Sequence, residues 1–302
     1  MPRDPDAYIS NVDSPEEYPR ISVTELRDLL RCTKKHDYAY RQGLKPVSTP
    51  GYFGKGRYLH AVMEALYSDL KSRGSGRKGP RPEFGGLGAR ALAAMALARE
   101  AGDPSSVVGE PDRLEIDAVV AGYLKELDPS DITGVPMVEQ AFYADIGLVN
   151  SNGVPVLLYG FIDAVLDTTA GSWLVEHKTA SRAWSLGQFL FDYQTRLYAS
   201  AIEAITGTRP LGTMFNFFYP KRWESKLVYV TPEESALLIE EVQRAIYLRD
   251  QESIVRQPHW GCNDCGFKNI CHAELIGADS DHLRATEYTV DQDKVDRFSQ
   301  ED

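Results

Sequence analysis

Two short runs, Gly160-Phe161-Ile162-Asp163 and Glu176-His177-Lys178-Thr179, decide how this chain is read. Residues 154–167 and 173–179 are rich in β-branched and aromatic side chains, and the turn-forming stretch 168–171 lies between them, so a hairpin is predicted. The strands otherwise alternate or run apolar, which makes Asp163, Glu176 and Lys178 charges on elements that should be largely buried. A buried carboxylate without a partner is costly. The strand period of two puts Glu176 and Lys178 on one face, and pairing brings Asp163 alongside. Two carboxylates and an ammonium together suit a hard divalent cation, Mg²⁺ or Mn²⁺, that would polarise a phosphodiester. The same three residues also suit a half-exposed strand face that simply carries charge.

Upstream of the hairpin, Ser22 or Thr24 caps a predicted helix that runs through Leu26, Leu29 and Leu30 to about Tyr40, with Cys32 on it. Leu59, Val62, Met63, Leu66 and Leu70 recur at three and four residues and predict a second helix, with His60 and Glu64 one turn apart beside the stripe. Residues 71–82 are rich in Gly, Ser, Pro and basic side chains and predict a loop, whose charge leaves phosphate contact open. Stretches 87–101 and 114–127 look helical, so the N-terminal half is expected to be a helical lobe. A strand over 138–146 precedes the hairpin and carries Glu139, read either as a solvated acid or as a residue behind the site. After the hairpin come a helix over 186–205, strands over 212–219 and 227–230, and a helix over 232–249 with Pro232 in its first turn. The second half is therefore α/β.

The cysteines give a separate signal. Cys262-x2-Cys265-x5-Cys271 is a compact triplet, and Cys32 is the only other cysteine, about 230 residues upstream. Four cysteines in 302 residues are too few for a disulfide scaffold, whereas four thiolates fit zinc or an iron-sulfur cluster. With 43% apolar and 25% charged residues the chain can bury a large core. No stretch approaches the roughly 18–20 apolar residues of a membrane-spanning helix, and the acidic N-terminus lacks signal-peptide character, so a cytoplasmic protein is expected. The formal charge of −11 is concentrated at the ends: residues 1–19 carry −4 and residues 277–302 carry −5, leaving −2 for the body. The ends read as solvated tails, and a nucleic-acid partner is not excluded.

Asp163 in Gly-x-x-Asp, followed across a hairpin by Glu176-x-Lys178, resembles the core of the PD-(D/E)XK nuclease superfamily. Gly56-Arg57-Tyr58-Leu59-His60 resembles the helix that supplies a histidine ligand in RecB-like nuclease domains, and Gln194-Thr195-Arg196-Leu197-Tyr198 resembles their Gln-x-x-x-Tyr helix. One cysteine before the core and three after it resemble the iron-sulfur staple of AddB-type and CRISPR-associated exonucleases. The likeness spans about residues 21–275.

That resemblance implies a restriction-endonuclease-like α/β fold: a central mixed sheet flanked by helices, with a helical N-terminal lobe and an iron-sulfur-stapled C-terminus. Tails over 1–20 and 277–302, a helical lobe over 21–135, a nuclease core over 136–255 and a cysteine segment over 256–276 follow. Asp163, Glu176 and Lys178 would carry catalysis, and His60, Asp163, Glu176 and the backbone carbonyl of His177 would hold Mg²⁺ or Mn²⁺. The His177 side chain should point away from the face shared by Glu176 and Lys178. Gln194 and Tyr198 would position DNA, single-stranded or end-bearing. Cys32, Cys262, Cys265 and Cys271 would bind a [4Fe-4S] cluster, with zinc as the alternative. The implied activity is that of a DNA exonuclease in recombination, repair or CRISPR adaptation, with proteins of those pathways as partners and a phage origin open. A structure-selective endonuclease and a non-catalytic DNA-binding protein are the competing readings. From its place in the turn after the hairpin, Trp184 is the aromatic expected to stack an unpaired nucleotide, while most of the aromatics around it, among Phe189, Phe191, Tyr193 and those of the next strand, read as core.

Overall fold

The computed structural model describes residues 8–47, 52–72, 109–126, 132–251 and 254–299. The predicted loop over 71–82, beyond its first two residues, and the predicted helix over 87–101 lie outside them. The chain divides into two compact units, one drawn from Met1–Asn11, Gly51–Ala144 and Gly160–Ala236, the other from Val12–Pro50, Asp145–Tyr159 and Leu237–Asp302.

In chain order the first elements are β1 (Tyr8–Ser10), β2 (Arg20–Ser22), α1 (Val23–Arg31), α2 (Thr33–His36) and β3 (Leu44–Pro46). Ser22 caps α1 as expected, its hydroxyl accepting from the Glu25 amide. The helix does not run on to Tyr40. Cys32 adopts an extended backbone (φ −164°, ψ 106°) that ends α1 and starts α2, and a π-helical turn, Asp37–Arg41, follows. Cys32 thus sits in a break between helices, not within one.

Then come α3 (Tyr52–Ser72), α4 (Glu110–Glu126), β4 (Ile132–Ala144), β5 (Leu157–Thr168) and β6 (Gly171–Thr179). Next are α5 (Leu186–Leu190), α6 (Tyr193–Thr206), β7 (Gly212–Tyr219), β8 (Arg222–Tyr229) and α7 (Pro232–Asp250). The chain closes with α8 (Lys268–Ile276), α9 (Ser280–Glu287), β9 (Tyr288–Val290) and α10 (Gln292–Ser299). The single helix expected over 186–205 is two, because Asp192 is extended and its carboxylate caps α6, accepting from the amide and the hydroxyl of Thr195 at 2.8 Å each.

The first unit is built on a mixed sheet in the order β1-β4-β5-β6-β7-β8. β5 and β6 pair antiparallel, β6 and β7 parallel, β7 and β8 antiparallel. A parallel β6–β7 pair needs a crossover, and α5 and α6 supply it. On one face of the sheet the stripe of α3 (Leu59, Val62, Met63, Leu66, Tyr67) and Val119, Val120 and Tyr123 of α4 pack with Ala164, Leu166, Val175 and Phe218. Alternate residues of β7 point to the other face, where Phe215, Phe217 and Tyr219 gather Trp184 and Phe189. The helical N-terminal lobe is therefore not one body: α3 and α4 need the sheet to bury their apolar sides, whereas α1 and α2 belong to the second unit.

That unit has its own core of Tyr38, Tyr40, Leu44, Phe267, Ile270, Tyr288 and Phe298. β3 pairs antiparallel with β9, and β2 runs parallel to the first residues of β5, Leu157–Tyr159. Residues 280–299, expected from their charge to be a solvated tail, instead form α9, β9 and α10. Tyr288 and Phe298 anchor them, which a count of acids does not reveal. Likewise, residues 8–10 of the expected N-terminal tail form β1, paired parallel with β4.

Candidate metal centre

The antiparallel register of β5 and β6 runs from Thr168↔Gly171 to Ala164↔Val175, and Asp163 stands at its next step, beside the β6 residues that follow Val175. Asp163 is buried, and its Oδ2 accepts the backbone N–H of His177 at 2.7 Å. Its Oδ1 lies 3.3 Å from Nδ1 of His60, which α3 projects from the edge of its apolar stripe. The same imidazole nitrogen lies 3.4 Å from Oε1 of Glu139 on β4. One ligand atom from each of His60, Glu139 and Asp163 falls within 4.8 Å of the others, and among the described residues no other set of three or more His, Cys, Asp or Glu does so.

Glu139 is thus nearer the centre than its sequence suggested. Its φ of +41° is rare for a residue with a side chain, and such strain persists where the surrounding structure enforces it. The signal in the sequence was the pair Glu139-Gln140, two polar residues in succession where a strand should alternate.

Glu176 stands beside this trio, not in it. Its Oε1 accepts from Lys178 Nζ at 2.7 Å and its Oε2 from Gln194 Nε2 at 2.6 Å. Burial, reinforced by the nearby charge of Asp163, raises the Glu176 carboxyl to about 7 against the pull of Lys178. Burial disfavours charge on His60 too, but the hydrogen bonds and negative charges of Asp163 and Glu139 prevail and lift it to about 10. Asp163, also penalised by burial, is held below the usual carboxylate range by His60 and by His177. Without a cation the imidazole keeps its proton as the counter-charge to the two carboxylates; a divalent cation would have to displace that proton, because only a neutral imidazole ligates.

The remaining predicted residues divide between the two faces. His177 points away from Glu176, its ring stacked on Tyr67 at 5.4 Å, and burial keeps it neutral with a value near 4. Gln194 reaches the site through Glu176. Tyr198, one helical turn on, is buried, edge-on to Phe142 at 4.9 Å and against Gly160. Trp184 is partly buried, within 5.4 Å of Phe189, Phe215 and Phe217, and Lys178 Nζ lies 5.6 Å from its ring centre.

All four cysteines are free thiols, and all belong to the second unit. Cys262 lies in the short helix Trp260–Asp264, where its Sγ accepts from the His259 amide at 3.4 Å, and Cys265 ends that turn. Cys271 is in the first turns of α8, and with Cys265 it packs against the aromatic core. Burial raises the Cys265 thiol; the Phe267 amide and Lys35 oppose this, and Cys262 and Cys32 are close enough to add to it. Among the described residues the four thiols do not form a set like the His60 trio, and they show no cluster.

Comparison with known proteins agrees with this geometry. A family profile described as the PD-(D/E)XK nuclease superfamily matches residues 20–272. The chain belongs to the PD-(D/E)XK nuclease superfamily. Nucleases of this superfamily use divalent metals, and His60, Glu139 and Asp163 offer an acidic site for one. Among solved structures the chain is similar to one described as "Crystal structure of SSO0001", at 15% identity and a TM-score of 0.35, over 76% of this chain and 98% of that one. No match is found among curated proteins. Among the described residues no helix is long and apolar enough to cross a membrane.

Proposed function

We propose that this chain is a Mg²⁺- or Mn²⁺-dependent DNA exonuclease, of the RecB-like type, acting in recombination, repair or CRISPR adaptation. The observation that carries the reading is the convergence of His60, Glu139 and Asp163 beside a Glu176–Lys178 pair held by Gln194. A cation bound there supplies Lewis acidity toward a phosphodiester oxygen and a more acidic water. His60, Asp163 and Glu176, with the His177 carbonyl, are the ligands the resemblance assigns, and Glu139 joins them by position. Lys178 brings a positive charge to where negative charge develops on the phosphate. Gln194 fixes the Glu176 carboxylate, and Tyr198 supports the strand beneath Asp163.

The cysteines are read as ligands of a [4Fe-4S] cluster. Their donor chemistry fits, and all four come from one unit. A single zinc ion held by the same four thiolates is the alternative, and the metal content of the purified protein separates the two.

Digestion of end-labelled linear DNA and closed circular DNA, each with Mg²⁺ or Mn²⁺, tests the activity. Linear DNA should shorten from its ends while circles stay intact; nicked or cut circles would establish the endonuclease reading instead. Glu176→Ala and Lys178→Ala should abolish cutting and keep most DNA binding. Full activity in either variant would refute the site.

A further inference from the structure

The link between α5 and α6 presents one aromatic ring to solvent: Phe191 is 79% exposed. The link itself is well held. The Phe191 amide donates to the Gly187 carbonyl at 3.0 Å, the Ser185 amide donates to Gln188 Oε1 at 2.7 Å, and the next residue, Asp192, is the buried cap of α6. The backbone of the link is therefore held in place while the ring it carries stays largely in water, without the burial that stabilises Phe215 and Phe217.

Its surroundings indicate what it meets. Gln194, three residues on, donates to the Glu176 carboxylate at 2.6 Å. Three residues of chain span at most about 11 Å, so the Phe191 backbone lies within that distance of the residue that orients Glu176. In the stretch leading to it Arg182 is exposed, and Lys178, paired with Glu176 at 2.7 Å, is the other basic residue, so positive charge is at hand for a phosphate backbone. Trp184 and Phe189, the aromatics that precede it in this stretch, are engaged with Phe215 and Phe217. An exposed ring on a hydrogen-bonded link, preceded by basic residues and no more than about 11 Å along the chain from Gln194, has the properties of a base-stacking platform.

We infer that Phe191 is a substrate-positioning residue whose ring stacks an unpaired nucleobase of the strand being cut. The inference rests on the nuclease reading above and deepens it, since a base can reach the ring only where the strand is single or frayed. Stacking tolerates any base, so positioning is by strandedness and not by sequence.

The test uses short single strands carrying the fluorescent base 2-aminopurine at successive positions, titrated in EDTA so that nothing is cut. Wild-type protein should quench one position near the bound end. Phe191→Ala should bind roughly tenfold more weakly and lose that quenching, while Phe191→Trp restores both. With Mn²⁺ present, Phe191→Ala should raise KM for single-stranded ends by a similar factor and leave kcat within about twofold. Unaltered binding and quenching in a folded Phe191→Ala protein, or a folded Phe191→Trp protein as impaired as the alanine variant, would overturn the inference alone. Wild-type protein that binds no DNA would overturn the nuclease reading with it.

Discussion

Gly160 shows how closely the site is packed at the level of single atoms. A Cβ at this position would overlap the Tyr198 hydroxyl, come within 2.9 Å of its Cζ and 3.1 Å of Phe142 Cε1. Both rings are buried and touch each other, so neither can give way cheaply. Gly160→Ala should lower stability by about 1–3 kcal/mol in urea unfolding and reduce cutting, because Tyr198 and Gln194 share one helix. An unchanged midpoint would show that Tyr198 is not confined as described. At this scale much was legible: Asp163, Glu176 and Lys178 declare themselves as charges on apolar strands, and period two correctly sends His177 to the other face. Glu139 was not legible as a neighbour of His60, since its position depends on a strained backbone angle that one residue's chemistry does not encode. Phe191 belonged to a set of aromatics read mostly as core yet is exposed, and Trp184, expected to be open, packs on Phe215 and Phe217, because one residue's hydrophobicity does not say which side of a short link it faces.

At the level of elements, α10 is attached to the rest of its unit by a buried charge network. Arg297 donates to Glu25 Oε2 at 3.0 Å and to the Tyr159 hydroxyl at 2.9 Å, while His36 lies 3.2 Å from Glu25 Oε1. Arg297→Ala leaves Glu25, 1% exposed, short of a partner, and should cost about 3–5 kcal/mol in chemical denaturation. A loss below 1 kcal/mol would mean that α10 contributes little to this unit. Burial disfavours the Glu25 carboxylate, yet His36, Arg297 and Arg249 together hold its pKa below the ordinary 4.5. A carboxyl depressed in the folded state adds stability that is present above about pH 4.5 and lost as pH falls through the lower, folded value. Glu25→Gln should therefore flatten the fall in melting temperature below pH 4.5; an acid limb as steep as the wild type's would assign that loss to other carboxylates. Helix and strand existence was largely readable here. The breaks at Cys32 and Asp192 were not, because each is a local backbone choice made against an apolar pattern that continues through it.

For the whole chain, the second unit gathers three segments far apart in sequence, Val12–Pro50, Asp145–Tyr159 and Leu237–Asp302, and all four cysteines are among them. A metal group tying such distant segments restrains the unfolded chain strongly. Anaerobically purified protein should be brown and carry about four irons per chain, and Cys271→Ser should lose iron and solubility while the His60 centre stays intact. Zinc in place of iron would reverse the assignment. By itself the sequence marked the hairpin with its charged residues and the apolar stripe of the His60 helix, because strand period, helix period and the cost of burying charge are local rules; the superfamily core was legible through the resemblance of its motifs. Only tertiary structure decided that the N-terminal helices serve two different cores, that the acidic C-terminal residues fold, and that Glu139 meets His60. Each of these depends on which distant apolar face covers which, and residues separated by a hundred positions carry no local mark of their partners.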